Sequence, residues 1–441
     1  MFDFRIKGGD VLEKKYTGDV QDTSSDSMFH IGMRDKTPDP VVPEVPEKKK
    51  RVFWATGTVD RPMLIVILFL VSFGSVMVFS ASYAYAYSRY GDSTYFIQKQ
   101  LGFVILGLLA MIVISHFNYK VIKAFSLPIY GVTVLLLVLV LLIGVAAQAA
   151  QRWLQVGPIS VQPSEIMKVA LVLAIAWYGE NYRKKIYDPN QSFKSKTINS
   201  VLKPGLFVIL AAGLIALENH VSGTLIILII GMVCLWVVGA DKRWFIYLGG
   251  GGLILVGIVL LVVWFKDASW NFIDDLIPDY VVKRIDMWLR PDNYTILDDT
   301  WQTVQGKYAV GSGGFFGTGF GQSYQKHLFV SQPQNDFIFA IVCEELGFVG
   351  AVGLIGLYMI FVYRGLLIAK RAPDIYSSIV TVGIVGHVGI QALLNMLVVT
   401  GVFPNTGISL PFISYGGSSL IMLLAEMGIL LSISRSAKIE K

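Results

Sequence analysis

A run of about twenty apolar residues is the length that crosses a hydrocarbon core of about 30 Å, and this chain repeats such a run ten times. The runs lie near residues 62–84, 97–115, 122–146, 163–181, 201–217, 221–240, 244–265, 337–363, 375–402 and 411–434. In lipid every backbone N–H and C=O must find its partner inside the protein, so long apolar runs without strand alternation read as helices. Hydrophobic residues make up 54% of the chain and charged residues only 15%, against about 25% charged in soluble domains. The expected fold class is therefore an all-α polytopic membrane protein, with ten transmembrane helices and a long extracellular loop, 266–336, between helices 7 and 8.

Lys and Arg orient the runs. A cytoplasmic N-terminus places Lys48, Lys49, Lys50, Arg51, Arg183, Lys184, Lys185, Lys242, Arg243, Lys370, Arg371 and Arg435 on one side, and leaves the short loops opposite with little beyond Arg89, Lys99 and Arg152. The positive-inside rule then puts both termini in the cytoplasm. The net charge of +6 is explained by topology and anionic headgroups, so membrane lipids are expected partners and nucleic acid is not. Residues 1–61, with PDPVVPEVPEKKKR, read as a disordered cytoplasmic tail without a cleavable signal, 62–435 as the membrane domain and 436–441 as a short cytoplasmic end. Cys234 and Cys343 fall inside spans and read as packing residues. The five His residues show no ligand spacing, so a protein-held metal site is not expected.

Two regions break the apolar pattern. TGVFPNTGISLPFISYGGSSL, Thr400 to Leu420, interrupts the last spans with prolines, glycines and hydroxyls. Irregular backbone at membrane depth is tolerated only where it is buried in protein or lines a wet cavity. The Pro404–Pro411 stretch is expected to be non-helical, on the outer side, and to face the groove that holds Lys168. The 266–336 loop carries Trp270, Trp288 and Trp301, which would lie on the membrane surface or stack on a sugar. Its glycine run, GSGGFFGTGFGQSYQK, lacks the strand-before-helix context of a nucleotide cradle. It reads as a flexible turn or as glycines that let backbone amides approach a ligand. GGGG, Gly249 to Gly252, reads as close helix packing.

Charged residues entering the membrane are functional candidates by default. In RWLQVGPISVQPSEIMKVA, Glu165 and Lys168 stand three apart on one helical face and can pair. In DFIFAIVCEELG, Asp336, Glu344 and Glu345 surround the eighth span, and the adjacent glutamates must point in different directions.

These segments resemble the SEDS family, the RodA and FtsW proteins of bacteria, from about Asp60 to the C-terminus. The resemblance rests on FGSVMVFSAS, YFIQKQ, RWLQVGPISVQPSEIMKVA, GSGGFFGTGFGQSYQK, NDFIFAIVCEELGFVGA and NMLVVTGVFPNTGISLPFISYGGSS, in that order. It implies a peptidoglycan glycosyltransferase of the bacterial plasma membrane. Such an enzyme polymerises lipid II at the outer face with undecaprenyl pyrophosphate as leaving group, beside a class B penicillin-binding transpeptidase. It needs a carboxylate base for the acceptor hydroxyl and cations for the departing charge, and leaves room for a divalent cation bridging the pyrophosphate. The family's acidic position falls here on Tyr294 or Thr295, so the base is expected at Asp298 or Asp299, with Asp292 as the alternative. His220 stands near a family Asp, and SQPQND lacks the family's Leu-Pro-Glu. The expected substrate-binding set is Arg152, Glu165, Lys168, Gln302, Ser323, Gln325, Lys326, Asp336, Glu345, Ser414 and Tyr415. The competing functions are a lipid II flippase and a non-catalytic scaffold that recruits the transpeptidase.

Overall fold

The computed structural model describes residues 53–147, 150–156, 159–190, 192–264, 279–291 and 300–437. Three helices come first: α1 (Arg61–Tyr90), α2 (Tyr95–His116) and α3 (Tyr119–Ile143). Asp60 caps α1 by accepting from the Met63 amide, with Pro62 in the first turn, where a missing N–H costs nothing. A small antiparallel sheet follows, β1 (Val145–Ala147), β2 (Ala150–Val156) and β3 (Ile159–Val161), in that order. It corrects the all-α expectation locally, because the segment carrying Arg152 is strand.

α4 (Pro163–Asn181) occupies the fourth expected span residue for residue. A short α5 (Arg183–Ile186) precedes α6 (Phe193–Thr197), which passes through a π turn at Ile198–Leu202 into α7 (Lys203–Leu217). α8 (Val221–Val238) and α9 (Lys242–Trp264) follow, then the loop helices α10 (Asp279–Leu289) and α11 (Trp301–Ser312). α12 (Ile338–Lys370), α13 (Ile375–Val399) and α14 (Ser418–Ser436) complete the bundle.

Among the described residues nine helices are long and apolar enough to cross a membrane. α4 is not one of them, because Glu165, Lys168 and Glu180 lie within its 19 residues. It is instead the hub. α3, α7, α8 and α13 all pack against it, and nearly every residue from Met167 to Ala176 is buried. A helix surrounded by other helices meets no lipid, so it can carry charges that a lipid-facing one cannot.

The glycines divide into two groups. Cβ atoms built on Gly313 and Gly317 would sit 2.0 and 2.1 Å from the carbonyl oxygens of Cys343 and Glu345, and one on Gly347 would sit 2.2 Å from the Gly317 nitrogen. Gly347 has φ 65° and ψ −163°, which kinks α12. The glycine run thus lets one stretch of backbone dock on another, with Thr318 and Gly319 amides donating to the Glu344 and Glu345 carbonyls. At Gly313 and Gly317 this replaces the flexible-turn reading with close backbone packing. The Gly249–Gly252 expectation is also corrected: added Cβ atoms there would meet nothing within 4 Å, because among the described residues no helix packs against that stretch of α9. Trp288 and Trp301 turn inward, their indole N–H groups donating to the Gly401 and Phe329 carbonyls. Trp288 fastens the loop to the irregular segment near residue 400 and Trp301 ties the loop to itself, so neither polar edge is free for membrane or sugar. Trp270 lies outside the described residues.

Candidate active site

The chain from Gly401 to Gly417 is non-helical, as its prolines and glycines require. Its backbone groups are satisfied from every side. Gln391 Nε2 donates to the Ser409 carbonyl at 3.0 Å, and Asn395 Nδ2 to the Ile408 carbonyl at 2.6 Å and the Asp336 carbonyl at 2.7 Å. Tyr358 Oη donates to the Pro411 carbonyl. Ser414 Oγ donates to the Asn335 carbonyl at 2.7 Å, the Tyr415 amide to that of Gln334 at 2.8 Å, and Gln100 Oε1 accepts from the Gly416 amide at 3.4 Å. Gly74 of α1 admits the segment, since a Cβ there would lie 2.2 Å from the Phe412 carbonyl. Motifs hundreds of residues apart in sequence thus converge on one stretch of irregular backbone.

Next to it lies a buried polar chain. Lys168 Nζ is 2.8 Å from Glu165 Oε2 and donates to Gln391 Oε1 at 2.9 Å. The same Oε1 lies 3.0 Å from His387 Nε2, and His387 Nδ1 is 3.0 Å from Glu426 Oε2. Of these, Glu165, His387, Gln391 and Glu426 border a cavity of ≈ 20 Å³ together with Ser409, Ser414, Tyr415 and Ser419, room for about one water molecule. The sequence reading missed His387, Gln391 and Glu426. The signal was present: His387, Gln391 and Asn395 recur every four residues, one polar stripe on an apolar helix, and Glu426 is an acid in mid-span.

Arg152, Glu218 and His220 form a neighbouring group, His220 lying within electrostatic reach of Glu165 and Lys168. Arg152 donates to the Asn219 carbonyl. Glu218 is buried with neither carboxylate oxygen hydrogen-bonded. Burial pushes its carboxyl up to about 8, with the Arg152 guanidinium acting against the rise. Burial, then Arg152, holds the His220 imidazole down at about 4, with Glu165 acting against that fall. Asp336 faces Gly407, whose added Cβ would lie 3.4 Å from Oδ2. Burial raises its carboxyl above the usual range while Arg284 pulls the other way. Arg284 itself donates to the Asn405 carbonyl at 3.2 Å, so the loop helix α10 leans on the irregular segment.

Five of the expected substrate-binding residues lie elsewhere. Lys326 and Glu345 pair at 2.6 Å with both side chains 0% exposed, and Ser80 Oγ donates to Glu345 at 2.7 Å. Ser323 Oγ and the Tyr324 and Gln325 amides donate to the buried Glu344 carboxylate. This cluster braces the loop against α1 and α12. Gln302 Nε2 is committed to the Ser331 carbonyl at 2.8 Å. Asp292, Asp298 and Asp299 lie outside the described residues. Among the described residues no three His, Cys, Asp or Glu side chains converge to hold a metal ion.

The family model of the FtsW/RodA/SpoVE group, described as cell cycle protein, matches residues 61–439. The chain belongs to this family. Stage V sporulation protein E of Bacillus subtilis (strain 168) is 37% identical, over 86% of this chain and 98% of that protein. A probable peptidoglycan glycosyltransferase FtsW of Trichlorobacter lovleyi is 34% identical over 86% and 94%. Two solved structures have the same FtsW/RodA/SpoVE fold. One is described as structural coordination of polymerization and crosslinking by a peptidoglycan synthase complex, with a TM-score of 0.65, 28% identity and coverage of 86% and 98%. The other is the rod shape determining protein RodA of Thermus thermophilus, with a TM-score of 0.60, 26% identity and coverage of 87% and 98%.

Proposed function

We propose that the chain is a peptidoglycan glycosyltransferase that polymerises lipid II at the outer face of the bacterial plasma membrane. Its ten helices would leave both termini in the cytoplasm and open the cavity side outward. The observation that carries the reading is the Glu165–Lys168–Gln391 chain set against irregular backbone and a cavity, in a family whose relatives bear that activity in their names. In the reaction the acceptor 4-hydroxyl attacks the anomeric carbon, the glycosidic bond forms, and undecaprenyl pyrophosphate leaves with the bonding electron pair. Lys168, bonded to the cavity residues Glu165 and Gln391, stabilises the departing charge, with Arg152 close by. A carboxylate of the 292–299 segment, Asp298 or Asp299, takes the hydroxyl proton; on either side of that segment Arg290 is bonded to the end of α9 and Gln302 to the Ser331 carbonyl of the loop. A class B penicillin-binding transpeptidase is the proposed partner, since a similar fold occurs in a complex that coordinates polymerization and crosslinking.

The test is lipid II polymerisation by the purified chain with its transpeptidase. Wild type yields glycan strands, and Asp298→Ala with Asp299→Ala lowers turnover by about 10²–10⁴-fold, the usual loss of a general base, at unchanged thermal stability. Full activity in that variant with loss in Asp292→Ala moves the base to Asp292. A wild type that moves lipid II across liposomes without polymerising it overturns the reading in favour of transport.

A further inference from the structure

We propose that His387 and Glu426 form a buried positioning pair that clamps the Gln391 amide and thereby sets the Lys168 ammonium against Glu165 and Gln391, two residues that line the cavity; this rests on the glycosyltransferase reading. His387 is the central residue of the 25-residue α13, and Glu426 faces it from α14. Their side chains are 4% and 2% exposed. Ionisable groups at that depth are costly. As interhelical glue such a pair contributes only about 0.6–2 kcal/mol, and apolar residues of similar volume would do as well or better. Helix packing alone therefore gives no reason for it.

Hydrogen-bond directions supply one. The Gln391 amide touches two partners that work in one direction only. The Ser409 carbonyl only accepts, so it takes Nε2–H, and the Lys168 ammonium only donates, so it takes Oε1. The amide orientation is thus fixed from both ends. His387 Nε2 also lies against that Oε1, so Nε2 must carry hydrogen and donate. Nδ1 then shares one proton with Glu426 Oε2. Without Glu426 only the Gln391 oxygen holds that tautomer and nothing holds the ring at Nδ1, and the alternative tautomer turns the Nε2 lone pair on the Gln391 oxygen. Glu426 therefore acts on Lys168 through two intermediaries. The charged and titratable groups around the chain are Glu165 and Lys168 from α4, His220 from the turn before α8 and Glu426 from α14. The cavity that the pair borders is bordered by Glu165 as well.

The test uses the full chain with its transpeptidase and lipid II, measuring kcat, KM and the thermal midpoint in detergent. His387→Leu with Glu426→Met replaces the pair by apolar side chains. The expected result is a midpoint near that of wild type, KM within about twofold, and kcat lower by about tenfold, because small misplacements of a reacting group cost rate before binding. Glu426→Gln has an amide that donates to Nδ1 and preserves the tautomer, so it recovers most of the activity that Glu426→Leu loses. Wild-type kcat in the double variant overturns the proposal. So does a Glu426→Gln protein as slow as Glu426→Leu, or a kcat loss that only follows the unfolded fraction. Should Glu426→Leu fail to fold, the double variant and Glu426→Gln decide between these outcomes. A wild type that makes no glycan overturns the glycosyltransferase reading, and is seen before any variant is assayed.

Discussion

Lys326–Glu345 and Lys168–Glu165 are both lysine–glutamate pairs, at 2.6 and 2.8 Å, yet they do different work. The first is sealed, 0% exposed on both sides, with Ser80 Oγ donating to the carboxylate and the Tyr83 ring 4.8 Å from the ammonium. The second is open on one side: Glu165 is 18% exposed, and Lys168 divides its donors between the carboxylate and Gln391 at the edge of a cavity. A sealed pair has no lone pair or proton left for a ligand and serves to fix two elements. An unsealed pair keeps one side where a substrate charge can enter. Exposure of a few side-chain atoms separates brace from site, where charge and spacing do not.

The largest expected effect lies on the sealed side. Lys326→Met strands the Glu345 carboxylate in a dry interior and is expected to lower stability by about 3–5 kcal/mol, read as thermal unfolding in detergent. Adding Glu345→Leu removes the stranded charge and is expected to recover most of that loss. A single variant as stable as wild type would break the comparison. Next comes Lys168→Met, expected to lower kcat by about 10²-fold with a smaller loss of thermal stability than Lys326→Met, since Glu165 keeps contact with water. Equal stability losses in the two lysine variants, with turnover following stability in both, would make the second pair another brace.

The smallest effect is a pH dependence that belongs to the open side alone. Glu218 has its carboxyl raised to about 8, so the folded protein holds a proton there that the unfolded chain has released. Its contribution is full below about 4.5 and is lost as pH rises through 8. His220, held down at about 4, works oppositely and adds stability as pH rises from 4 toward 6.5. The two offset each other up to about 6.5, above which only the Glu218 decline remains. The thermal midpoint is therefore expected to fall between pH 6.5 and 8, and Glu218→Gln is expected to flatten that fall. An unchanged slope in Glu218→Gln would place the titrating group elsewhere.

Much of the molecule was readable before any coordinates. Apolar run length located the helices, and Pro404, Pro411 and the glycines among them marked the break near residue 400, because both signals are local. Glu165 and Lys168 were paired from a spacing of three, which a helix converts directly into contact. Lys326 was expected to bind substrate because its partner, Glu345, stands nineteen residues away, and no spacing of that length says that two side chains meet. Gly249–Gly252 failed as a packing signal, since a small-residue stripe says that a helix could be approached and does not say which helix comes.

The sequence by itself determined a polytopic helical membrane protein, its family and the place of its irregular segment, since these follow from hydrophobic length, backbone chemistry and motif order. Only the tertiary structure decided that α4 is the hub, that Glu345 braces while Glu165 opens on a cavity, and that His387, Gln391 and Glu426 extend the chain from Lys168. Those facts depend on which faces of separate helices meet. Side chains far apart along the chain share a hydrogen bond only after packing has brought their helices together.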